Sequence, residues 1–301
     1  MPTEPRLTSR SFPVENYNLS VTLDCGQAFR WRRENGYWVG IVANHWLLVS
    51  HTPKTLKIAS SAERPVWDRI ANYFQPKEKI DAITAVFPSD EHLREAVRDY
   101  RGLRLLRQEP WECLASFILS STKQIPHIQQ IIARLAQRYG HPLPTPSGYS
   151  PAFSFPPADR IAKATESDLR SLGMGYRAPF LKHAAEAVHE GRVQLSEIHE
   201  LDYHQAQEIL QTLQGVGPKI AACVLLFAYG NQDAFPIDVW VRRALKELYF
   251  PQQSPSDREL EAFSQEYFRP YSGYAQQYLF HYIRMQHRAK PSQQPRSGNM
   301  G

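Results

Sequence analysis

Lys219 and Asp238 are the residues whose types and spacing could do chemistry. Lys219 ends the segment Leu213-Gln214-Gly215-Val216-Gly217-Pro218-Lys219, where two glycines permit backbone conformations closed to other residues. Pro218 suits the first turn of a helix, where its missing N–H costs nothing. A helix N-terminus favours anions, so structure alone would place Asp or Glu there. A lysine at that point is a candidate nucleophile. Nineteen residues on, in Phe235-Pro236-Ile237-Asp238-Val239, Asp238 directly precedes another helical run. It suits an N-cap, and one carboxylate can do both jobs. An amine that captures a sugar carbon, beside a carboxylate that steadies positive charge on the sugar, suffices to break a glycosidic bond and then the strand.

Two helices must flank that turn, which reads as a helix–hairpin–helix. The amides of Gly215, Val216 and Gly217 would hold a phosphate without reading the base beside it. A plain helix–helix turn and a non-catalytic DNA-binding module fit the same glycines. Upstream, Leu19, Val21 and Leu23 alternate, and two further apolar runs, Phe29-Arg30-Trp31 and Tyr37-Trp38-Val39-Gly40-Ile41-Val42, flank the hairpin dipeptide Asn35-Gly36. Residues 18–51 therefore predict an antiparallel sheet. From about Pro65 the apolar period becomes helical. Breakers divide it into helices beginning near Asp90 and Pro110, then at 124–139, and, after a proline-rich connection at 140–157, at 180–189, 203–213, 218–229, 239–248, 257–268 and 274–286. Thr165 and Asp168 have the spacing of a capping box. The chain from His287 is polar, and 291–301 reads as a disordered tail.

The 301 residues suggest about two domains. A net charge of +5 weakly favours an anionic partner. Three widely spaced cysteines build neither a disulfide framework nor an iron–sulfur site. His199 and His204 miss the four-residue spacing of a helical zinc pair, and the zinc-deaminase signature is absent. No metal or redox cofactor is expected. No apolar run is long enough for a membrane span, and the N-terminus lacks the pattern of a secretory signal. The expected location is the cytoplasm or nucleoid of a bacterium, or the nucleus of a eukaryote, and the chain is not expected to be secreted.

From roughly Leu19 to Phe280 the sequence resembles the 8-oxoguanine DNA glycosylase/AP lyases of the helix–hairpin–helix glycosylase superfamily. The resemblance rests on the hairpin with Lys219 and Asp238, on Gly26-Gln27-Ala28-Phe29-Arg30-Trp31, on the stretch 102–110 containing Leu105-Leu106-Arg107-Gln108, on Leu172-Gly173-Met174-Gly175-Tyr176-Arg177-Ala178, and on Tyr274-Ala275-Gln276-Gln277-Tyr278-Leu279-Phe280. It implies an α+β chain, with an N-terminal antiparallel sheet domain (1–88) followed by an all-α core (89–290) whose two subdomains hold a lesion pocket between them. It implies a monomer acting on double-stranded DNA that contains oxidised guanine. Lys219 would be the Schiff-base nucleophile and Asp238 its assisting carboxylate. Cys223 and Phe280 would stack on the extruded base, Gln276 would meet its Watson–Crick edge, and the Gly26 carbonyl would accept the hydrogen that oxidation places on N7. Unmodified guanine would instead turn a lone pair toward that carbonyl. Tyr176 would wedge into the base stack and Arg177 would read the opposite base.

Plainer roles stay open at these positions. Gly26 suits a turn, Cys223 and Phe280 suit a core, and Tyr176-Arg177 suits a helix end. The chain also departs from the family. Thr122-Lys123-Gln124 replaces an asparagine trio and His127 an arginine, so contacts to the opposite strand differ. Trp240 stands where a phosphate-contacting histidine is usual. A glycosylase for alkylated purines and a non-catalytic binder of damaged DNA are the rival readings; Lys219 argues against the former.

Overall fold

The structure, a computed structural model, describes residues 4–289. Strands β1 (Thr8–Pro13), β2 (Arg32–Glu34), β3 (Tyr37–Val42), β4 (His45–Thr52) and β5 (Thr55–Ser60) form one antiparallel sheet in the order β1-β5-β4-β3-β2. Asn35 and Gly36, at φ 50° and 82°, make the tight turn expected between β2 and β3. β1 had no sequence signal, because all but one of its residues are exposed and only backbone pairing with β5 defines it. Along β3 and β4 the side chains alternate. Trp38, Val42, Leu47 and Val49 face one core, while Val39, Ile41 and Trp46 face a smaller one.

A helix, α1 (Leu19–Asp24), stands where alternation predicted a strand. Asn18 caps it, accepting from the Val21 amide at 3.1 Å, and Leu19, Thr22 and Leu23 are buried. Leu19 and Leu23 satisfy a period of two and a helical i, i+4 spacing equally, and the Asn18 cap decides between them.

Helices follow to the end of the described chain: α2 (Trp67–Phe74), α3 (Ile80–Ala85), α4 (Glu91–Asp99), α5 (Pro110–Ser120) and α6 (Ile125–Tyr139). The proline-rich connection contributes two short strands, β6 (Pro142–Leu143) and β7 (Ala152–Phe153), which pair with each other. Leu143 and Ala152 help to cover the smaller face of the sheet. Next come α7 (Ala158–Ala162), α8 (Glu166–Leu169), α9 (Ala178–His189), α10 (Tyr203–Gln211), α11 (Pro218–Val224), α12 (Val239–Ala244), α13 (Asp257–Tyr267) and α14 (Ser272–Ala289). The last helix outruns its expected end at 286, because His287 packs on Trp240 of α12 with ring centroids 5.8 Å apart. The expected tail at 291–301 lies outside the described residues.

α11 packs on α5 and α10, whereas α4 and α12 pack on α14. Among the bonds that tie the sheet domain to this helical body are those of the buried Gln27 amide. Gln27 donates to the carbonyls of Thr22 (2.9 Å) and Arg104 (2.8 Å) and accepts from the Leu106 amide (2.8 Å), and Gln108 donates to the Gln27 carbonyl (2.6 Å). Those bonds join the Gly-Gln-x-Phe-Arg-Trp segment to the Leu-Leu-Arg-Gln segment and hold Gly26 against the helices.

Candidate active site and nucleic-acid interface

The hairpin is built by local rules. An Asp202–Gln205 capping box starts α10, and Leu213 and Val216 bury on either side of the turn. Gly215 has φ +79°, and a Cβ there would lie 2.5 Å from the Phe180 ring. Gly217, with ordinary extended φ, caps α11, and Pro218 takes the first helical position. The Gly215 and Gly217 amides donate to no acceptor among the described residues, whereas the Val216 amide, expected to be free for a phosphate, closes the turn by donating to the Leu213 carbonyl at 3.0 Å. Lys219 follows in the first turn, its Nζ 5.2 Å from the Phe117 ring centroid. Burial pushes the Cys223 thiol, one turn on from Lys219, up to about 11 despite the opposing lysine charge.

Asp238 caps α12, as its position before a helical run suggests. Its Oδ1 accepts from the Trp240 amide at 3.0 Å and the Val241 amide at 2.8 Å, while Oδ2 has no partner among the described residues. Burial raises its carboxyl above the usual carboxylate range, with the Val241 amide and the Lys219 charge working in the other direction. The cap fixes the backbone angle and leaves one oxygen for chemistry.

Lys219 and Asp238 line one cavity of about 770 Å³, and Gly26, Cys223, Gln276, Phe280 and Thr122 line it with them. Gly26 has φ +83°, and a Cβ there would come within 2.9 Å of Ile125 and 3.3 Å of the Phe280 ring. The Gly26 carbonyl accepts no hydrogen bond among the described residues. Gln276 donates from one end of its buried amide to the Pro236 carbonyl at 3.2 Å, and its other end, Oε1, is unpartnered. Cys223 is buried and Phe280 is half-buried. Beneath Lys219, Phe117 stacks on Phe227 with centroids 5.5 Å apart and meets Phe29 edge-on. The sequence reading missed these three aromatics as cavity floor. Arg284 was missed as well, although its i+4 spacing from Phe280 and i+8 spacing from Gln276 put it on the same helix face.

The remaining expected residues lie outside the cavity wall. His127 is exposed on the first turn of α6. Tyr176 is 50% exposed, as a wedge requires, and its hydroxyl meets the Thr122 hydroxyl at 3.1 Å. Arg177 departs from expectation. A reader of the opposite base needs an accessible guanidinium, but Arg177 is 3% exposed. Its Nε donates to the Ser121 carbonyl at 2.8 Å and its Nη2 to the Tyr176 hydroxyl at 3.0 Å, and the guanidinium lies 4.2 Å over the Tyr176 ring. In this conformation it braces the wedge against the α5–α6 loop. Thr122 in that loop holds φ +55°, strained for a β-branched residue and easy for the asparagine usual there. Trp240 lies on the cavity rim under the Arg243 guanidinium, 5.1 Å from its ring.

Among the described residues no cluster of three or more His, Cys, Asp and Glu is placed to hold a metal ion. No described helix is long and apolar enough to cross a membrane.

Two protein-family models match the chain: the N-terminal domain of 8-oxoguanine DNA glycosylase over residues 10–114, and the HhH-GPD superfamily base excision DNA repair protein over residues 115–270. A probable N-glycosylase/DNA lyase of Methanothermobacter thermautotrophicus is 27% identical over 305 residues, covering 90% of this chain and 95% of that protein. The N-glycosylase/DNA lyase OGG1 of Arabidopsis thaliana is 27% identical over 295 residues, covering 91% of this chain and 80% of its own length. The crystal structure of the Clostridium acetobutylicum 8-oxoguanine glycosylase/lyase with dsDNA containing cytosine opposite 8-oxoG matches with a TM-score of 0.86 and 32% identity, over 94% of this chain and 98% of that one.

Proposed function

The chain belongs to the 8-oxoguanine DNA glycosylase family within the HhH-GPD superfamily, and we propose from that premise that it excises 8-oxoguanine from duplex DNA through Lys219 and then cleaves the strand. The observation that carries the reading is the shared cavity, with the Lys219 amine and the Asp238 carboxylate on its wall together with Gly26 and Gln276. The two unpartnered acceptors, the Gly26 carbonyl and Gln276 Oε1, complement a purine that presents N–H groups at N7 and on its Watson–Crick edge.

The chemistry balances with these groups. Lys219 Nζ bonds to C1′ of the extruded nucleotide as the C1′–N9 bond breaks, and the base leaves with the electron pair and takes up a proton. Ionised Asp238 stabilises the positive charge that grows on the sugar ring. Loss of the Nζ proton and opening of the ring give the Schiff base. Removal of a C2′ proton then expels the 3′ phosphate, and water releases Lys219. In this reading Cys223 and Phe280 flank the base, Tyr176 fills the stack, Thr122 and His127 face the opposite strand, and the free amides of Gly215 and Gly217 hold a backbone phosphate while Val216 anchors the turn. The N-terminal part, 1–88, buttresses Gly26, and 89–290 carries the reaction. The protein would act where genomic DNA is kept, in cytoplasm, nucleoid or nucleus.

Borohydride reduction during turnover of an 8-oxoguanine duplex tests the nucleophile. The expected result is a covalent protein–DNA adduct that Lys219→Gln abolishes along with base release. Undiminished trapping by that variant would overturn the assignment.

A further inference from the structure

Arg284 projects from α14 on the face that carries Gln276 and Phe280, and all three line the cavity. Its side chain is 5% exposed. A guanidinium carries five N–H donors. Among the described residues Arg284 spends one, from Nη1 to the Asp24 carbonyl at 3.3 Å, and it forms no ion pair. Arg288 is a like charge beside it, and the Asp24 and Asp238 carboxylates lie near without forming an ion pair with it. None of its nitrogens is both buried and without a partner, so the spare donors stay open on the cavity side, where an acceptor can reach them.

Its position says which acceptor. Nη1 lies 3.5 Å from where a Cβ on Gly26 would stand, and the guanidinium carbon is 6.0 Å from the centroid of the Phe280 ring. Arg284 thus occupies the corner between the Gly26 turn and the Phe280 platform. Backbone phosphates stay at the mouth of such a pocket, so a side chain this buried meets the base. Resting on the function proposed above, the N7 edge lies at Gly26 and the Watson–Crick edge, with O6, at Gln276. The acceptor left for the corner is the oxygen on C8. We propose that Arg284 donates a hydrogen bond to the C8 carbonyl oxygen of the extruded purine, which makes it a specificity-determining residue. Guanine carries C8–H there and leaves the donors unspent, so Arg284 rewards the oxidised base where the Gly26 carbonyl repels the normal one.

Single-turnover release from duplexes containing 8-oxoguanine or 8-thioguanine, whose C8 sulfur is a poorer acceptor, tests this in the wild type, Arg284→Met and Arg284→Lys. Arg284→Met should lower 8-oxoguanine release by roughly 10- to 100-fold and bring the two rates together, since the lost bond is charge-assisted. Arg284→Lys should recover part of the preference. Cleavage of a preformed abasic duplex should fall by a much smaller factor. A preference for 8-oxoguanine that survives both substitutions, or an equal fall on the abasic duplex, overturns the proposal, the latter marking a phosphate contact or a brace for the Asp24 loop. Should the wild type release neither base, the function proposed above falls and Arg284 with it. Release by the wild type with an unchanged ratio in the variants removes the Arg284 assignment alone.

Discussion

In the proposed reaction Asp238 combines two demands on one carboxyl group. As a cap it needs only an acceptor, which asparagine supplies equally well; as a stabiliser of a sugar cation it needs a negative charge. Its carboxyl is raised by burial, so the folded protein binds this proton more tightly than the unfolded chain. The associated stability is full below the unfolded carboxylate value, near pH ~3.9, and is lost as pH rises through the raised folded value. At neutral pH the ionised group is therefore a cost to the fold, one that the proposed reaction would explain. Asp238→Asn should keep the cap, leave the Tm at pH 7 equal to or above wild type, and lower base release by about 100-fold or more. A Tm gap between the two proteins should close in acid. Thermal melts from pH 3 to 8 beside single-turnover rates measure both effects, and a variant that loses stability but not rate would return Asp238 to a purely structural role.

Elements position these residues through short-range rules that are checkable one glycine at a time. Gly215 and Gly217 look equivalent in the sequence, yet only Gly215 combines a positive φ with a ring against its face. Gly215→Ala should cost roughly 1–3 kcal/mol of stability and weaken duplex binding, because the hairpin must open to clear Phe180. Gly217→Ala meets nothing within 4 Å and should leave the Tm unchanged, so a weaker affinity there would report a phosphate that approaches its backbone. Melting curves and duplex titrations of the pair separate folding from contact. The same scale explains the misread element. Apolar spacing in a six-residue segment is ambiguous, and the Asn18 cap carries the helix signal for 19–24. Gln27 was legible only as part of a motif, since nothing local tells that its amide bonds to a segment far along the chain.

At the scale of the molecule, the modest charge of +5 gains its meaning from placement, with Lys123, Arg242, Arg284 and Arg288 around the cavity. Duplex affinity should fall with salt at a log–log slope of about −0.9 per phosphate contacted. That slope should be the same for damaged and undamaged duplexes, because reading the base adds no phosphate. Titrations between 50 and 200 mM salt check it, and a slope that depends on the lesion would mean that extrusion recruits further phosphates. By itself the sequence determined the hairpin, the lysine at its helix start and the capping aspartate, because glycine torsions, the proline ring and N-caps act within a few residues. It also marked Gly26, Cys223, Gln276 and Phe280 through resemblance, though residue type alone left most of them with turn or core roles. Tertiary structure decided that these residues share one cavity, that Arg177 is buried as a brace, and that Arg284 keeps spare donors beside Gly26. Burial and hydrogen-bond partnership are sums over segments brought together from both ends of the chain, and no local pattern carries that sum.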